Sequence, residues 1–320
     1  MANAPFQTIH EQHLLENGPT LSVPVQTEIQ IGQSNCQKVR AVEQVRRMRG
    51  GSQAHLMRCN DGNYYVVKFQ NNPQHQRTLV NEMLGTKLAA RLGLPTTPMA
   101  IVEVSEELIS LTHDLVMEMP RNRVPCQPGL QFGSRYPGDP CCLTLHDFLL
   151  DEQLRQVANI HDFAGMLVFD KWTCNTDGRQ TLFFRSASKG GRQVVDSLSA
   201  SYSTVMIDQG FCFNAGEWNF PDAPLRGLYS RNRVYDGVTG MESFAPWLEQ
   251  LEKQMTERAF EEITREIPPA WYDNDLDALS RLSEQLLQRR SRVEELIVAA
   301  RKSDRQPFPN WIPKTMFAGL

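Results

Sequence analysis

Through the first third of the chain, apolar and polar positions alternate with the short period of strands; through the last third they recur at helical spacing. Residues 38–48 alternate loosely and run into Arg49-Gly50-Gly51-Ser52-Gln53, a turn signal. Residues 54–59 read as a second short strand, closed by the tight-turn sequence Asn60-Asp61-Gly62-Asn63. Tyr64-Tyr65-Val66-Val67-Lys68-Phe69 is aromatic and β-branched, the composition of a pleated strand. The spacing of Leu79, Met83, Leu84, Leu88 and Leu92 predicts a helix over 78–92, ended by Gly93 with Pro95 just beyond. Strands are predicted over 99–104 and 114–119.

Residues 120–142 hold five prolines and three glycines and read as a long ordered connector. Beyond it, helices are predicted over 144–157 and 159–172, each opened by a good N-cap residue. Short strands at 181–185 and 203–207 flank a polar loop. Two long amphipathic helices over 244–266 and 276–301 follow, the second with its charges opposite Leu279, Leu282, Leu286, Val293, Leu296 and Ile297. The pattern predicts an α+β chain of two lobes. A polar arm (1–35) precedes a small β-rich lobe (36–120), a connector (121–142) and a larger, mostly helical lobe (143–320).

Charge narrows the classes of partner. Lys and Arg number 33 against 37 Asp and Glu, a net charge of -4, where a general nucleic-acid binder carries a basic excess. No apolar run approaches the roughly 18 residues of a membrane span. The first residues lack the basic-then-apolar order of a secretory signal. The expectation is a soluble cytoplasmic protein with no membrane or direct nucleic-acid partner. Seven cysteines form no C-x-x-C pair and no zinc-spaced cluster, which predicts free thiols. Only the adjacent Cys141 and Cys142 invite a redox reading, and inert thiols are the simpler one.

Three groups of residues carry candidate chemistry. Lys68 lies inside an apolar strand, and Glu82 lies in the helix after it. An edge lysine facing solvent is the plain reading; a compact cation aimed at phosphate and steadied by a carboxylate is the sharper one. Gly50-Gly51-Ser52-Gln53 could bring backbone N–H groups close to a polyphosphate, although it matches neither G-x-G-x-x-G nor the Walker A pattern. The third group is a pair of carboxylate loops: Asp170 to Gln180, containing Asn175-Thr176-Asp177-Gly178-Arg179, and Ile207-Asp208-Gln209-Gly210 at a strand end. Phosphoryl transfer needs one carboxylate to orient the acceptor hydroxyl and another to hold Mg²⁺ against the triphosphate. A turn aspartate and a strand-end cap are the alternatives for Asp177 and Asp208.

Lys68-Phe69, Asn81-Glu82-x-Leu84, Leu88-Ala89-x-x-Leu92-Gly93-Leu94-Pro95, Phe169-Asp170-x-Trp172, Asn175-Thr176-Asp177 and Ile207-Asp208-x-Gly210 together resemble the HipA-like kinases, bacterial relatives of the HipA toxin kinase. The resemblance spans about residues 38–300. It implies a bilobal protein-kinase-like fold and an ATP- and Mg²⁺-dependent phosphotransferase acting on a hydroxyl, such as Ser or Thr of a protein. By that resemblance Asp177 is the catalytic-loop base, Asp208 the metal ligand, and Lys68 the phosphate lysine beside Glu82. The glycine turn (Gly50, Gly51, Ser52, Gln53) would cover the phosphates, and the strand carrying Glu118 and Met119 would offer its backbone to adenine.

One position departs from that pattern. Kinase-like catalytic loops place Asn about five residues after the base, and here Leu182 stands there. Gln180 or Thr181 would have to supply the second metal ligand, which neither does strongly. A pseudokinase that binds nucleotide or a partner without turnover, and a kinase fold performing nucleotidyl transfer or small-molecule phosphorylation, therefore stand as alternatives. Arg179 could neutralise a transferring phosphate, with a pairing to a nearby carboxylate the plainer reading, and Arg289, Arg290 and Arg292 are expected to form a solvated helix face.

Overall fold

The computed structural model describes residues 36–185 and 202–312; the arm expected over 1–35 lies outside them. Strands β1 (Gln37–Arg47), β2 (His55–Cys59) and β3 (Tyr64–Lys68) form antiparallel neighbours, followed by helix α1 (Thr78–Arg91) and strand β4 (Met99–Val104). Next come a short helix α2 (Glu106–Leu111), a separate hairpin of β5 (Val116–Glu118) and β6 (Arg123–Pro125), and strand β7 (Gly129–Arg135). β7 inserts between β3 and β4, and β4 runs parallel to β1, closing a barrel in the order β1-β2-β3-β7-β4.

β7 corrects the expected connector. Residues 129–135 are a central barrel strand, so the β-rich part extends to Arg135 instead of ending at residue 120. The sequence hid this strand because Gly133 and a fully buried Gln131 replace the usual apolar positions. Gly133 is dictated by packing: a Cβ there would lie 2.4 Å from Val102 Cγ2 and 3.3 Å from Tyr65.

The remaining chain is α3 (Asp151–Leu154), α4 (Asp162–Thr173), the hairpin β8 (Gln180–Arg185)–β9 (Tyr202–Ile207), α5 (Ala245–Gln254), α6 (Glu257–Thr264), α7 (Leu276–Arg289) and α8 (Val293–Arg301). The helix expected over 144–157 shrinks to α3 because His146 exchanges main-chain hydrogen bonds of 2.9 Å with Phe183 and extends the hairpin. Tertiary pairing there overrides helix propensity. The two long helices expected near the end are each broken. Thr256 caps α6 by accepting from Ala259 N, and a tight turn at Arg290–Arg292 separates α7 from α8.

Two cores result. Val39, Met57, Val67, Phe69, Val102 and Met117 belong to one, in and around the barrel. The other joins Leu79, Val80, Met83, Leu84 and Leu88 of α1 to Phe163, Leu167 and Trp172 of α4 and to α6–α8. Each such fully buried side chain contributes roughly 1.5–3 kcal/mol, so α1 is anchored to the helical part although it follows a barrel strand. All seven cysteines are free thiols. Among the described residues no helix is long and apolar enough to cross a membrane.

Candidate active site

β3 delivers Lys68 into the interior at its C-terminal end, and α1 presents Glu82 to it. Lys68 is 7% exposed and bonds both Glu82 Oε1 and, at 2.9 Å, Asp208 Oδ1. It is thus no edge lysine facing solvent. Glu82 also accepts from the backbone N–H groups of Gln209 (3.1 Å) and Gly210 (2.9 Å), so one carboxylate fixes both the lysine and the loop after β9.

Burial opposes the charge on Lys68, but Asp208 and Glu82 outweigh it and hold its pKa above the ordinary lysine value. Burial likewise works against ionised Asp208, and Lys68 outweighs it, leaving that carboxyl below its usual range. Glu82 goes the other way, because burial dominates and Lys68 only partly offsets it. Two carboxylates sharing one lysine leave surplus negative charge, a setting hospitable to a cation.

Asp208 adopts φ 59°, a left-handed conformation that costs a non-glycine residue roughly 1–2 kcal/mol. The surroundings enforce it. Asn81 Nδ2 donates to the carbonyls of Gly210, Cys212 and Ala215 at 2.8–2.9 Å, and Asn81 Oδ1 accepts from Trp218 Nε1. His75 Nε2 lies 2.9 Å from Gly210 O, and Arg77 stacks on Trp218 at 4.1 Å. Phe213, Asn214 and Ala215 are left-handed as well.

The second carboxylate loop leaves α4 through a left-handed Cys174. Asp170 and Arg179, both buried, form a two-pronged ion pair, and Asn175 Nδ2 donates to Asp170. Arg179 then reaches Ile207 O (2.9 Å) and Gln209 Oε1 (3.0 Å), and Thr176 N donates to Phe211 O. Asp170 and Arg179 therefore join the Asp177 loop to the Asp208 loop. Arg179 pairs with a carboxylate, as expected. Asp177 itself is exposed; Oδ1 accepts from Gly178 N and Oδ2 from Gln180 Nε2 at 2.9 Å.

The other candidates fall unevenly. The glycine turn sits at the Lys68 end of the barrel, since His55 is opposite Val67. Thr181 is corrected as a metal ligand: successive strand residues face opposite ways, and its 3% exposed side chain is buried near Tyr229 while Gln180 faces outward. Glu118 and Met119 are corrected as adenine contacts. They belong to the β5–β6 hairpin, whereas β7 is the strand that leads toward the helices; the N–H and C=O of Glu118 are both taken by Gln53, and the N–H of Met119 by Asn122. Arg289 is also corrected, being buried and donating to Lys171 O and Phe220 O. Asn81 and Asp170 stood in the sequence motifs without a role, and His75 gave no signal beyond its polar loop.

A family profile described as HipA-like kinase matches residues 41–297. The chain belongs to the HipA-like kinase family. A comparison with curated proteins gave no match. Among solved structures, this HipA-like kinase is similar to the Golgi casein kinase with Mn/ADP bound, with a TM-score of 0.42 and 10% identity over 86% of this chain and 75% of that one. A second crystal structure of the Golgi casein kinase gives a TM-score of 0.44 and 11% identity, covering 86% and 76%.

Proposed function

We propose that this HipA-like kinase transfers the γ-phosphoryl group of ATP to a hydroxyl, with Ser or Thr of a protein as the favoured acceptor. The observation that carries the reading is Lys68 bound between Glu82 and Asp208, with the Asp208 loop fastened to Glu82 through two backbone N–H groups. That arrangement pre-positions one cation and one carboxylate at the same point before any ligand arrives.

The donor set suits Mg²⁺. Asp208 has one oxygen on Lys68, and the described residues hold no cluster of three or more ligating side chains. Mg²⁺ keeps several waters and takes one or two carboxylates plus phosphate oxygens, so a caged site is not needed. Asp208 would hold the ion, with the carboxamide oxygen of the exposed Gln180, which pairs with Ile207 next to Asp208, as a further donor. Bound Mg²⁺ supplies charge neutralisation at the phosphates. Lys68 binds a phosphate oxygen as a point charge, and the turn Gly50-Gly51-Ser52-Gln53 covers the phosphate end. The main chain following β7, at residues 136–142, takes the adenine-facing role first given to Glu118 and Met119. Asp177 orients the acceptor hydroxyl and takes its proton as the new O–P bond forms and the bond to the ADP oxygen breaks.

One observation favours a second reading. Leu182, paired with Val205 inside the hairpin, offers no metal ligand where a kinase loop places Asn, which fits a nucleotide-binding pseudokinase. Single-turnover incubation with γ-labelled ATP and excess Mg²⁺ separates the two. A mass gain of one phosphoryl group on the chain or an added acceptor, lost in Asp177→Asn, supports transfer. Tight Mg·ATP binding with no transfer to any acceptor supports the pseudokinase.

A further inference from the structure

The β1–β2 turn is tied to a part of the molecule that lies outside the barrel. Gln53 closes the turn with its own N–H on Gly50 O (3.2 Å) and adopts φ 51°. Its carboxamide then pairs with the β5–β6 hairpin in both directions: Nε2 donates to Glu118 O at 2.8 Å, and Oε1 accepts from Glu118 N at 2.7 Å. Arg47, at the end of β1, donates to Gln53 Oε1 at 2.6 Å and forms an ion pair with Glu118 Oε1 at 2.8 Å. One side chain thus links the last residue of the glycine turn to both main-chain groups of one hairpin residue, and an arginine seals the junction. On the opposite side the turn rests against the loop after Lys68, where a Cβ on Gly51 would lie 3.2 Å from Gln74 Nε2.

We infer that the β5–β6 hairpin is a brace for the phosphate-facing turn and that Gln53 is a positioning residue for the polyphosphate of the nucleotide. This rests on the phosphotransfer reading of the same site. A glycine turn that must offer backbone N–H groups to phosphates is entropically costly to hold still, since glycine loses the most conformational freedom on ordering. Two-point pairing of an amide with a main-chain N–H and C=O fixes both the position and the rotation of the turn. The left-handed backbone at Gln53 aims the carboxamide outward at the hairpin and leaves Gly50 and Gly51 at the tip. Because the brace acts only on the turn, it should affect ligands with two or three phosphates and spare those whose contacts lie nearer adenine.

The test titrates ATP, ADP and AMP, each with Mg²⁺, into the wild-type chain, Gln53→Ala and Glu118→Pro. The proline removes the Glu118 N–H from the hairpin side without touching the turn. Proline is tolerated on an edge strand whose N–H is not in the ladder, and here that N–H goes to Gln53. In both variants ATP and ADP affinity should fall about five- to tenfold, the worth of one or two hydrogen bonds, with AMP changed by less than about twofold. Melting temperatures without ligand should stay close to wild type. Glu118→Ala keeps the main-chain pairing and should retain most of the ATP affinity. An unchanged ratio of ATP to AMP affinity in both variants would overturn the brace, as would equal losses for all three nucleotides with a lowered melting temperature. A wild type that binds no nucleotide overturns the phosphotransfer reading and the brace together; a wild type that binds, with variants that follow it, overturns the brace alone.

Discussion

Lys68 and Glu82 are buried, Asp208 is half-buried, and Lys68 bonds both carboxylates, whereas Asp177 stands exposed on a loop held by its immediate neighbours Gly178 and Gln180. The first region holds one lysine between two carboxylates and ties one of them to the main chain of the loop after β9. The second leaves a carboxylate exposed to solvent, and what is buried there is its support, Asp170 with Arg179. Changes in the buried region should therefore appear in stability and nucleotide binding together. A change at Asp177 should appear in turnover alone.

The largest separation comes from Asp177→Asn. Turnover should fall by roughly 10²–10⁴, the usual worth of a positioned general base. Unfolding free energy should move by no more than about 0.5 kcal/mol, as for a surface substitution. Rapid-quench kinetics beside urea unfolding checks both halves.

Lys68→Met breaks the comparison from the other side. A lysine beside an open cleft could be lost cheaply, but this one is buried and ion-paired with the buried Glu82 and the half-buried Asp208. Its removal should cost about 3–5 kcal/mol, the range for breaking a buried ion pair. Adding Glu82→Gln should recover part of that loss, which chemical denaturation of the single and double variants would reveal.

Gly133→Ala probes the barrel that carries Lys68. The added Cβ meets Val102 and Tyr65, and overpacking of this kind costs about 1–3 kcal/mol. The loss should be seen as a lower denaturation midpoint with an unchanged slope.

A pH-dependent effect of similar size concerns Lys171, on α4 next to Asp170. Burial pulls its pKa down to about 7, with Arg305 and Arg289 adding to that and Asp170 opposing it. Between about pH 7 and the unfolded-state value near 10.4, the folded chain binds fewer protons than the unfolded one. Stability contributed by this group therefore rises with pH across that window, by at most about 1.4 kcal/mol per pH unit. Lys171→Met should flatten the difference between denaturation curves at pH 7 and pH 9.

The two regions were also unequally legible in the sequence. The barrel strands other than β7 announced themselves through β-branched and aromatic runs such as Tyr64 to Phe69, and Lys68 with Glu82 followed from one strand and one helix close in sequence. β7 stayed hidden because its central positions are a glycine and a buried glutamine, chosen by contacts with β3 and β4. The clamp on the Asp208 loop was equally silent. Asn81 meets Gly210 across 129 positions and His75 meets it across 135, and no local pattern records such pairings. The burial of Arg289 leaves no local trace for the same reason, its partners Lys171 and Phe220 lying far along the chain.

The most direct test of the central claim is calorimetric titration of ATP with and without Mg²⁺ into the wild-type chain and Asp208→Asn. If Lys68, Glu82 and Asp208 form a metal–nucleotide site, wild type binds ATP more tightly with Mg²⁺. Asp208→Asn, which removes an anionic ligand from a hard cation, loses that enhancement while the chain remains folded. Wild-type binding that ignores Mg²⁺, or an Asp208→Asn chain that keeps the full Mg²⁺ enhancement, would contradict the assignment.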